Sequence, residues 1–549
     1  PQFRRNREDL TLDVTYQIRE APRVYVERVD INGNTLTQDK VVRREFRIAE
    51  GDAFNSLQVA RSTNRIKSLG YFQENFEIEQ KEGSAPDRIV LEANVEEQPT
   101  GELQLSAGFS SLESFILAAS IRQRNFRGRG QTVGAGVNYS RYSRSFNLSF
   151  AEPYVFDRNI SAGVDVYRRD YRSFNFANSS RNNTFEQATT GFSVRAGVPL
   201  TEYISAVGSY TLNYDDISLG DEYFSDSDGD GVRTCDPLLA GRYLCEALGE
   251  RTSSILGLTL AYDSTDSRLR PTRGQSLSLT TEFAGLGGDT KYARFRARGA
   301  KYWRVLNGFI FSVRGEGGFI KGFEDRTGPG VDEVRLNDRF FLGEPDFRGF
   351  DIRGVGPRVV RLNYIDDDDD ATTPPVLQTL DEAREARTLI DDAIGGRAYY
   401  LGRAELEIPL GSGASELGLR PSAFIDVGAL FKVTQPVLQD FPNGIRQVDP
   451  TTGLPLFIQL GTNDQGQPTS TLVTSPTAPN GTANAPAFDT SRAFREVFLG
   501  DSASPRVSIG IGVNWNSPFG PFRIDFAHAL RTQPGDDTKR FTFNVGTQF

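Results

Sequence analysis

No methionine occurs among the 549 residues of this chain, histidine occurs once, and cysteine twice. Each scarcity excludes something. With His528 as the sole histidine there is no zinc-ligand cluster, and no P-loop appears either, so the common metal and nucleotide chemistries have no foothold. No stretch approaches the roughly 18 consecutive apolar residues that a membrane helix needs, which excludes an α-helical membrane protein and leaves a closed β-barrel as the only spanning structure. Pro1 to Leu10 is polar and basic, without the apolar run of a secretory signal. Together with the missing methionine, this reads as an internal fragment or a processed product. The net charge of -10 and the lack of any basic run interleaved with aromatics argue against a nucleic-acid partner. The two cysteines, Cys235 and Cys245, lie close together in a polar stretch and read as one disulfide formed in an oxidising compartment.

What the chain has in quantity is Phe (39), Tyr (19) and Gly (54), the supply a membrane barrel draws on for its aromatic girdles and turns. From Thr100 onward, segments of about ten residues alternate apolar with polar or small side chains and are separated by turn chemistry. In Val507 to Asn516 one face is Val507, Ile509, Ile511, Val513 and Trp515, while the other is Ser508, Gly510, Gly512, Asn514 and Asn516. In Tyr292 to Trp303, Ala293, Phe295, Ala297 and Trp303 alternate with Arg294, Arg296 and Arg298. An arginine facing hydrocarbon costs about 2–4 kcal/mol at mid-membrane, so these three must face a polar lumen. A soluble sandwich would not set bulky apolar residues on its outer face so regularly.

Counting such segments gives about sixteen strands, starting near residues 100, 115, 131, 144, 159, 187, 203, 253, 274, 291, 309, 398, 419, 505, 522 and 539. The long inserts, near 216–250, 324–396 and 432–503, all follow odd-numbered strands, where extracellular loops belong if the N-terminus is periplasmic. His528 falls in register with Phe522, Ile524, Phe526 and Leu530 on the lipid face. It therefore cannot serve a lumenal acid–base pair, and an outer-membrane hydrolase is disfavoured.

Residues 21–98 follow a different pattern. Arg23 to Ile31 alternates as a strand before an Asn32-Gly33-Asn34 turn, and Thr37 is expected to cap a helix with Val42 and Phe46 on one face. Asn55 with Gln58 makes a capping-box pattern for a second helix carrying Val59 and Ile66, and Gly70 stands where a C-cap glycine belongs. Strands over Tyr71 to Glu82 and Arg88 to Glu97 complete a β-α-α-β-β unit. That order, with Gly33-Asn34 after the first strand and Leu69-Gly70-Tyr71-Phe72 opening the second, resembles a POTRA domain. Leu12 to Ile18 reads as a lone strand, so residues 1–20 are expected to be the tail of a preceding, truncated POTRA repeat. The fold class is thus an α+β POTRA domain over 21–98 followed by an all-β transmembrane antiparallel β-barrel over 99–549.

The insert after the eleventh strand contains Gly343-Glu344-Pro345-Asp346-Phe347-Arg348-Gly349-Phe350. Phe347, Arg348, Gly349 and Phe350 resemble the [V/F]-R-G-F motif of the sixth extracellular loop in the BamA family, where the loop folds back into the barrel. The likeness continues through Asp351 to Arg358, and Asp263 to Gly274, Gly520 to Arg531 and Phe541 to Phe549 support it. An arginine drawn into a lumen needs an anion, and a bidentate carboxylate is the strongest choice. Alternation turns Asp426 inward in the thirteenth strand and Glu405 and Glu407 inward in the twelfth. The resemblance implies that Asp426 and Glu405 receive the arginine. Phe541 and Phe543, with Gly546 and the terminal Phe549, resemble the C-terminal β-signal of outer-membrane proteins. Gly101 and Gly108 in the first strand and Gly546 in the last are poor strand formers and mark the joint between first and last strands as weak. Asp226, Asp228, Asp230 and Gly231 reproduce the opening of a calcium loop, but Pro237 stands at the twelfth position where a Glu is needed, and a solvated acidic loop is the favoured reading. The Pro, Gly, Ser and Thr content of 465–490 reads as an irregular, mobile loop.

The resemblance implies a non-enzymatic insertase in the bacterial outer membrane, without cofactor or nucleotide, its POTRA domain in the periplasm. Its partners would be unfolded outer-membrane β-barrel substrates, accessory assembly lipoproteins and chaperones at the POTRA domain, and the lipid and lipopolysaccharide of the membrane. The alternatives are a POTRA-barrel transporter of the two-partner-secretion type and a TamA-like assembly factor; a passive porin has no use for a POTRA domain.

Overall fold

The structure is a computed structural model that describes residues 2–6, 11–15, 23–73, 75–110, 113–177, 180–226, 232–240, 242–267, 270–305, 308–365, 375–410, 418–449, 452, 454–462, 468–489, 493–517 and 520–545. It divides into two compact units, one of Pro1–Leu103, Ile121–Gly134 and Phe150–Pro153, the other of Gln104–Ser120, Ala135–Ser149 and Tyr154–Phe549.

In the first unit, Tyr25–Asn32 pairs in parallel with Arg88–Asn94, which pairs antiparallel with Ile78–Glu82. The helices Asp39–Arg43 and Ser56–Ser68 close a core of Val26, Val29, Val41, Val42, Val59, Ile66, Phe72 and Leu91. Ser56–Ser68 starts because the Asn55 carboxamide accepts the Leu57 and Gln58 N–H groups, and it stops at Gly70, whose φ of 67° suits a residue without a Cβ. Three details depart from the sequence reading. Thr37 does not cap the first helix: Gln38 is the N-cap and makes no side-chain bond there, while the Thr37 N–H is taken by Glu97 Oε1 at 2.6 Å. The second strand of the unit is confined to Ile78–Glu82, with Phe72 making only an isolated bridge to Glu97. The leading segment is a hairpin, Gln2–Asn6 against Thr11–Thr15, where a lone strand over Leu12 to Ile18 was expected; residues 16–18 lie outside the described ones.

The remaining long strands form a closed, antiparallel, 16-stranded barrel. Strands one to eight are Gly101–Ser110, Ser114–Phe126, Gln131–Ser140, Ser143–Glu152, Ser161–Ala177, Ser180–Pro199, Ile204–Leu219 and Gly249–Asp263. Strands nine to sixteen are Gly274–Gly288, Tyr292–Arg304, Ile310–Gly322, Ala398–Glu407, Leu419–Phe431, Arg506–Ser517, Gly520–Arg531 and Phe541–Val545. The long connections 220–248, 323–397 and 432–505 follow strands seven, eleven and thirteen and so share one end of the barrel.

Alternation explains the two faces. Ile509, Ile511, Val513 and Trp515 are exposed on the outer wall, whereas Arg294 and Arg298 turn inward to Glu282 at 3.0 Å and Glu316 at 2.8 Å. Strand six begins at Ser180 rather than near 187, because the hairpin of strands five and six continues as a backbone ladder, Phe174↔Asn183 to Ala177↔Ser180, whose strand-six side, Ser180 to Asn183, carries no apolar residue. Part of 465–490 is also more ordered than its composition indicates. Phe457–Thr462 pairs with Pro468–Val473 and with Ala485–Pro486, since Thr and Ser serve in strands as readily as in loops when a partner edge is present.

Candidate functional site

The connection after strand eleven runs back into the barrel. Its entry is lined by aromatic and cationic groups from both partners: Phe340 lies 4.7 Å ring-to-ring from Tyr399 of strand twelve, and the Arg296 guanidinium of strand ten sits over the same Phe340 ring at 5.6 Å. Arg294 also donates to the Asp338 carbonyl oxygen at 2.8 Å. The inward arginines of strand ten therefore grip the loop as well as the wall.

Beyond this entry Phe347 and Phe350 pack ring to ring at 4.5 Å, both fully buried, in a cluster with Tyr292, Ile320, Leu342, Val355 and Leu430. Burying two Phe side chains supplies about 1.5–3 kcal/mol each, which offsets part of the conformational freedom the loop tip loses. Between them stands Arg348, at the centre of a buried polar site. Its Nε donates to Asp426 Oδ2 at 2.8 Å and its Nη2 to Asp426 Oδ1 at 2.7 Å, a fork-on-fork pair, and its own backbone N–H reaches the same carboxylate at 3.3 Å. Nη1 donates to Glu405 Oε2 at 3.4 Å and lies 3.9 Å from Asp525 Oδ1. The guanidinium stacks on Phe424 at 3.3 Å from the ring centre, and the Arg348 carbonyl accepts from Ser508 Oγ at 2.6 Å.

The acids are themselves held. Asp426 also receives Arg403 Nε at 3.2 Å, Glu405 receives Ser422 Oγ at 2.7 Å, and Asp525 receives Arg523 Nε at 2.7 Å. Three arginines thus face three carboxylates in a largely buried site, which satisfies the rule that buried charge must be paired. Gly349 adopts a φ of 88°, and a Cβ there would meet Ser508 Cβ at 2.9 Å and Ala527 Cβ at 3.3 Å. Only glycine lets the backbone turn this close to the wall.

The structure therefore brings Phe347, Arg348, Gly349, Phe350, Asp426 and Glu405 together. Phe424, Arg403, Arg523, Asp525 and Ser508 join them without having been singled out in the sequence; inward register in strands twelve to fifteen was the signal that could have found them. Other candidates lie elsewhere. Cys235 and Cys245 form a disulfide with Cα atoms 5.7 Å apart, in the connection after strand seven. Phe541 and Phe543 pair with Phe526 and Ile524 of strand fifteen, and strand sixteen meets strand one through Asn544↔Ser110 and Val545↔Phe109. Gly101 and Gly108 belong to strand one. Gly546, Phe549, Asp228, Asp230 and Gly231 lie outside the described residues, so of the calcium-loop pattern only Asp226 is described.

Comparison with known proteins agrees with this architecture. Residues 125–549 match the Omp85 superfamily domain, and residues 24–98 match the POTRA family described as a surface antigen variable number repeat. Outer membrane protein assembly factor BamA of Neorickettsia risticii is 26% identical over 98% of this chain and 57% of its own length. The protein of the same name from Neisseria meningitidis serogroup B is 25% identical over 99% of this chain and 59% of its own length. The chain thus spans less than two thirds of the length of these curated relatives. Among solved structures, BamA from Haemophilus ducreyi lacking POTRA domains 1–3 superposes with a TM-score of 0.64 at 22% identity, covering 100% of this chain and 89% of that one, which is a likeness of fold.

Proposed function

The chain belongs to the Omp85 superfamily, and from that premise we propose that it is an assembly factor that folds and inserts other β-barrel proteins into a bacterial outer membrane. The POTRA domain stands in the periplasm and receives unfolded barrel substrates, with accessory lipoproteins and chaperones docking by strand addition at its sheet edge. The outer wall meets lipid, with lipopolysaccharide on the side of the long loops. No cofactor or nucleotide enters the reaction.

The observation that carries this reading is the loop that enters the barrel's own lumen, with Arg348 locked to Asp426 and the Phe347–Phe350 pair buried beside it. A barrel whose interior is occupied in this way is suited to act through its wall. The wall closes where the first strand meets the last, strand one against strand sixteen. Opening it exposes the N–H and C=O groups of strand one, a template for an incoming strand. Growth of the substrate sheet then proceeds by exchange of hydrogen bonds. The driving force is burial of the substrate's apolar face in lipid at about 25 cal/mol per Å².

The test is reconstitution in phospholipid vesicles with an unfolded outer-membrane barrel as substrate, following its conversion to the folded, heat-modifiable form. Vesicles containing the chain should fold substrate faster than empty vesicles. Equal rates would reject the assembly reading, and export of a soluble polypeptide across the vesicle wall instead would favour the secretion transporter.

A further inference from the structure

Strand fifteen ends at Arg531 and strand sixteen begins at Phe541. Adjacent antiparallel strands need only about two to five connecting residues, so the connection 532–540 is longer than the turn requires. Its surplus is spent on the arginine-bearing loop. Lys539 N donates to the Gly349 carbonyl at 3.1 Å, Asp351 N to the Asp537 carbonyl at 3.0 Å, and Asp537 N to the Gly354 carbonyl at 2.9 Å, with a bridge between Phe350 and Thr538. The residue immediately after Arg348 is thus hydrogen-bonded to a residue two positions before strand sixteen.

Charges reinforce this ladder at Lys539, whose Nζ donates to Glu344 Oε2 at 2.7 Å and lies 3.5 Å from Asp351 Oδ1, and most extensively at Asp537. Asp537 takes Arg358 Nη1 on Oδ2 at 2.9 Å and Arg384 Nη2 on Oδ1 at 2.8 Å, and both arginines belong to the loop. Arg358 is almost wholly buried and also reaches Asp391 at 2.6 Å. Burial pushes the Asp391 carboxyl up, with Arg358 only partly opposing this, whereas the burial of Asp537 is outweighed by Arg358, a hydrogen bond with Asp391 and Arg384 acting together, which hold it below the usual carboxylate range. Next to it, Asp536 and Arg506 form a fully buried pair that fixes the same connection to the start of strand fourteen.

We propose that Asp537 is a positioning residue that clasps the strand-sixteen connection to the arginine-bearing loop, so that the register of strand sixteen against strand one follows the seating of Arg348. The proposal rests on the assembly reading for its purpose but not for its test. Strand sixteen cannot swing from strand one with its leading connection still laddered to the loop. Unseating Arg348 loosens Gly349 and Phe350, and with them Thr538 and Lys539.

The experiment uses the whole chain in phospholipid vesicles with Cys235 and Cys245 changed to Ser and the register partners Ser110 and Asn544 changed to Cys. The readout is the rate of disulfide formation under a mild oxidant. Asp537→Ala should slow crosslinking about tenfold, since it takes one of two carboxylate partners from the buried Arg358 guanidinium, and a buried charge left short of a partner is strongly destabilising. Asp537→Glu should recover much of the rate. Arg348→Ala should slow it as well, and the double variant should be little slower than the worse single one. A control pair in the far wall, Leu279→Cys with Ala297→Cys, which are register partners in strands nine and ten, should crosslink unchanged. Parent-rate crosslinking in Asp537→Ala, strict additivity of the two variants, or equal loss at the control pair would each overturn the clasp. Because no substrate is present, those outcomes leave the assembly reading to its own assay.

Discussion

Arg348 is the residue on which the interior depends, and its contacts predict an asymmetric response to substitution. Arg348→Ala leaves Asp426, which has no exposed surface, without its fork partner, and loss of one member of a buried pair typically costs about 3–5 kcal/mol. The barrel should then lose its folded gel mobility at a lower temperature, and Arg348→Lys should recover little, because an ammonium cannot make the two parallel bonds to Oδ1 and Oδ2. A double cycle with Asp426→Ala should be non-additive by about 0.5–3 kcal/mol; additivity would mean that the two side chains do not interact. Gly349→Ala should be as damaging although no charge is lost, since the new Cβ collides with Ser508 and Ala527. In the POTRA unit, Glu97 offers a pH test. Burial would raise its pKa, but hydrogen bonds from Thr35, Thr37 and the Leu36 and Thr37 N–H groups prevail and hold it at about 2. A depressed folded pKa contributes stability that is present above the unfolded value near 4.5 and is lost as pH falls toward 2. Hydrogen-exchange protection at Leu36 and Thr37 should therefore fall over that window in the parent chain, while Glu97→Gln should show reduced protection already at pH 7 and a flatter profile. At this scale the sequence was half legible. Alternation put Asp426 and Glu405 on the lumen face, but period two carries no information on height, so it could not say that Phe424, Arg523 and Asp525 stand at the level where the loop arrives.

Elements were most legible where membrane imposes a pattern and least where it does not. Strands ten and fourteen announce themselves because hydrocarbon on one side and water on the other force a strict alternation of side chains. Strands five and six continue their ladder beyond the segments read from the pattern, and on the strand-six side it runs through Ser180, Arg181, Asn182 and Asn183 with nothing in the hydropathy to mark it. The same limit applies to Thr37, a good capping residue whose backbone is instead engaged by Glu97, a partner distant in sequence. The connection after strand seven allows a prediction about an element as a whole. Its cysteines are ten residues apart, and Leu244 and Ala247 beside the bridge share a core cluster with Ile217 of strand seven and with Leu336, Ile394 and Val433 of the other long connections. Replacing Cys235 and Cys245 by Ser should raise hydrogen exchange within 220–248 while leaving substrate assembly intact, because a disulfide closing so short a loop removes little chain entropy and lies apart from the strand-one joint. Loss of assembly in that variant would show that the bridged element does more than cover the loop cluster.

For the whole molecule, the function proposed above has a barrel whose lumen holds its own loop work at its edge, the joint of strands one and sixteen. Leu103 and Leu105 of strand one are largely exposed, as befits an edge that faces lipid when closed and a substrate strand when open. The most direct measurement locks that joint. Ser110 and Asn544 are register partners, and antiparallel partners have Cα atoms about 4.5–5.5 Å apart, inside the span a disulfide bridges. In a chain lacking Cys235 and Cys245, with cysteines at 110 and 544, the account predicts that complete oxidation stops folding of a substrate barrel in vesicles and that a reducing agent restores it. Substrate folding at the unlocked rate by fully crosslinked, membrane-inserted protein would contradict it.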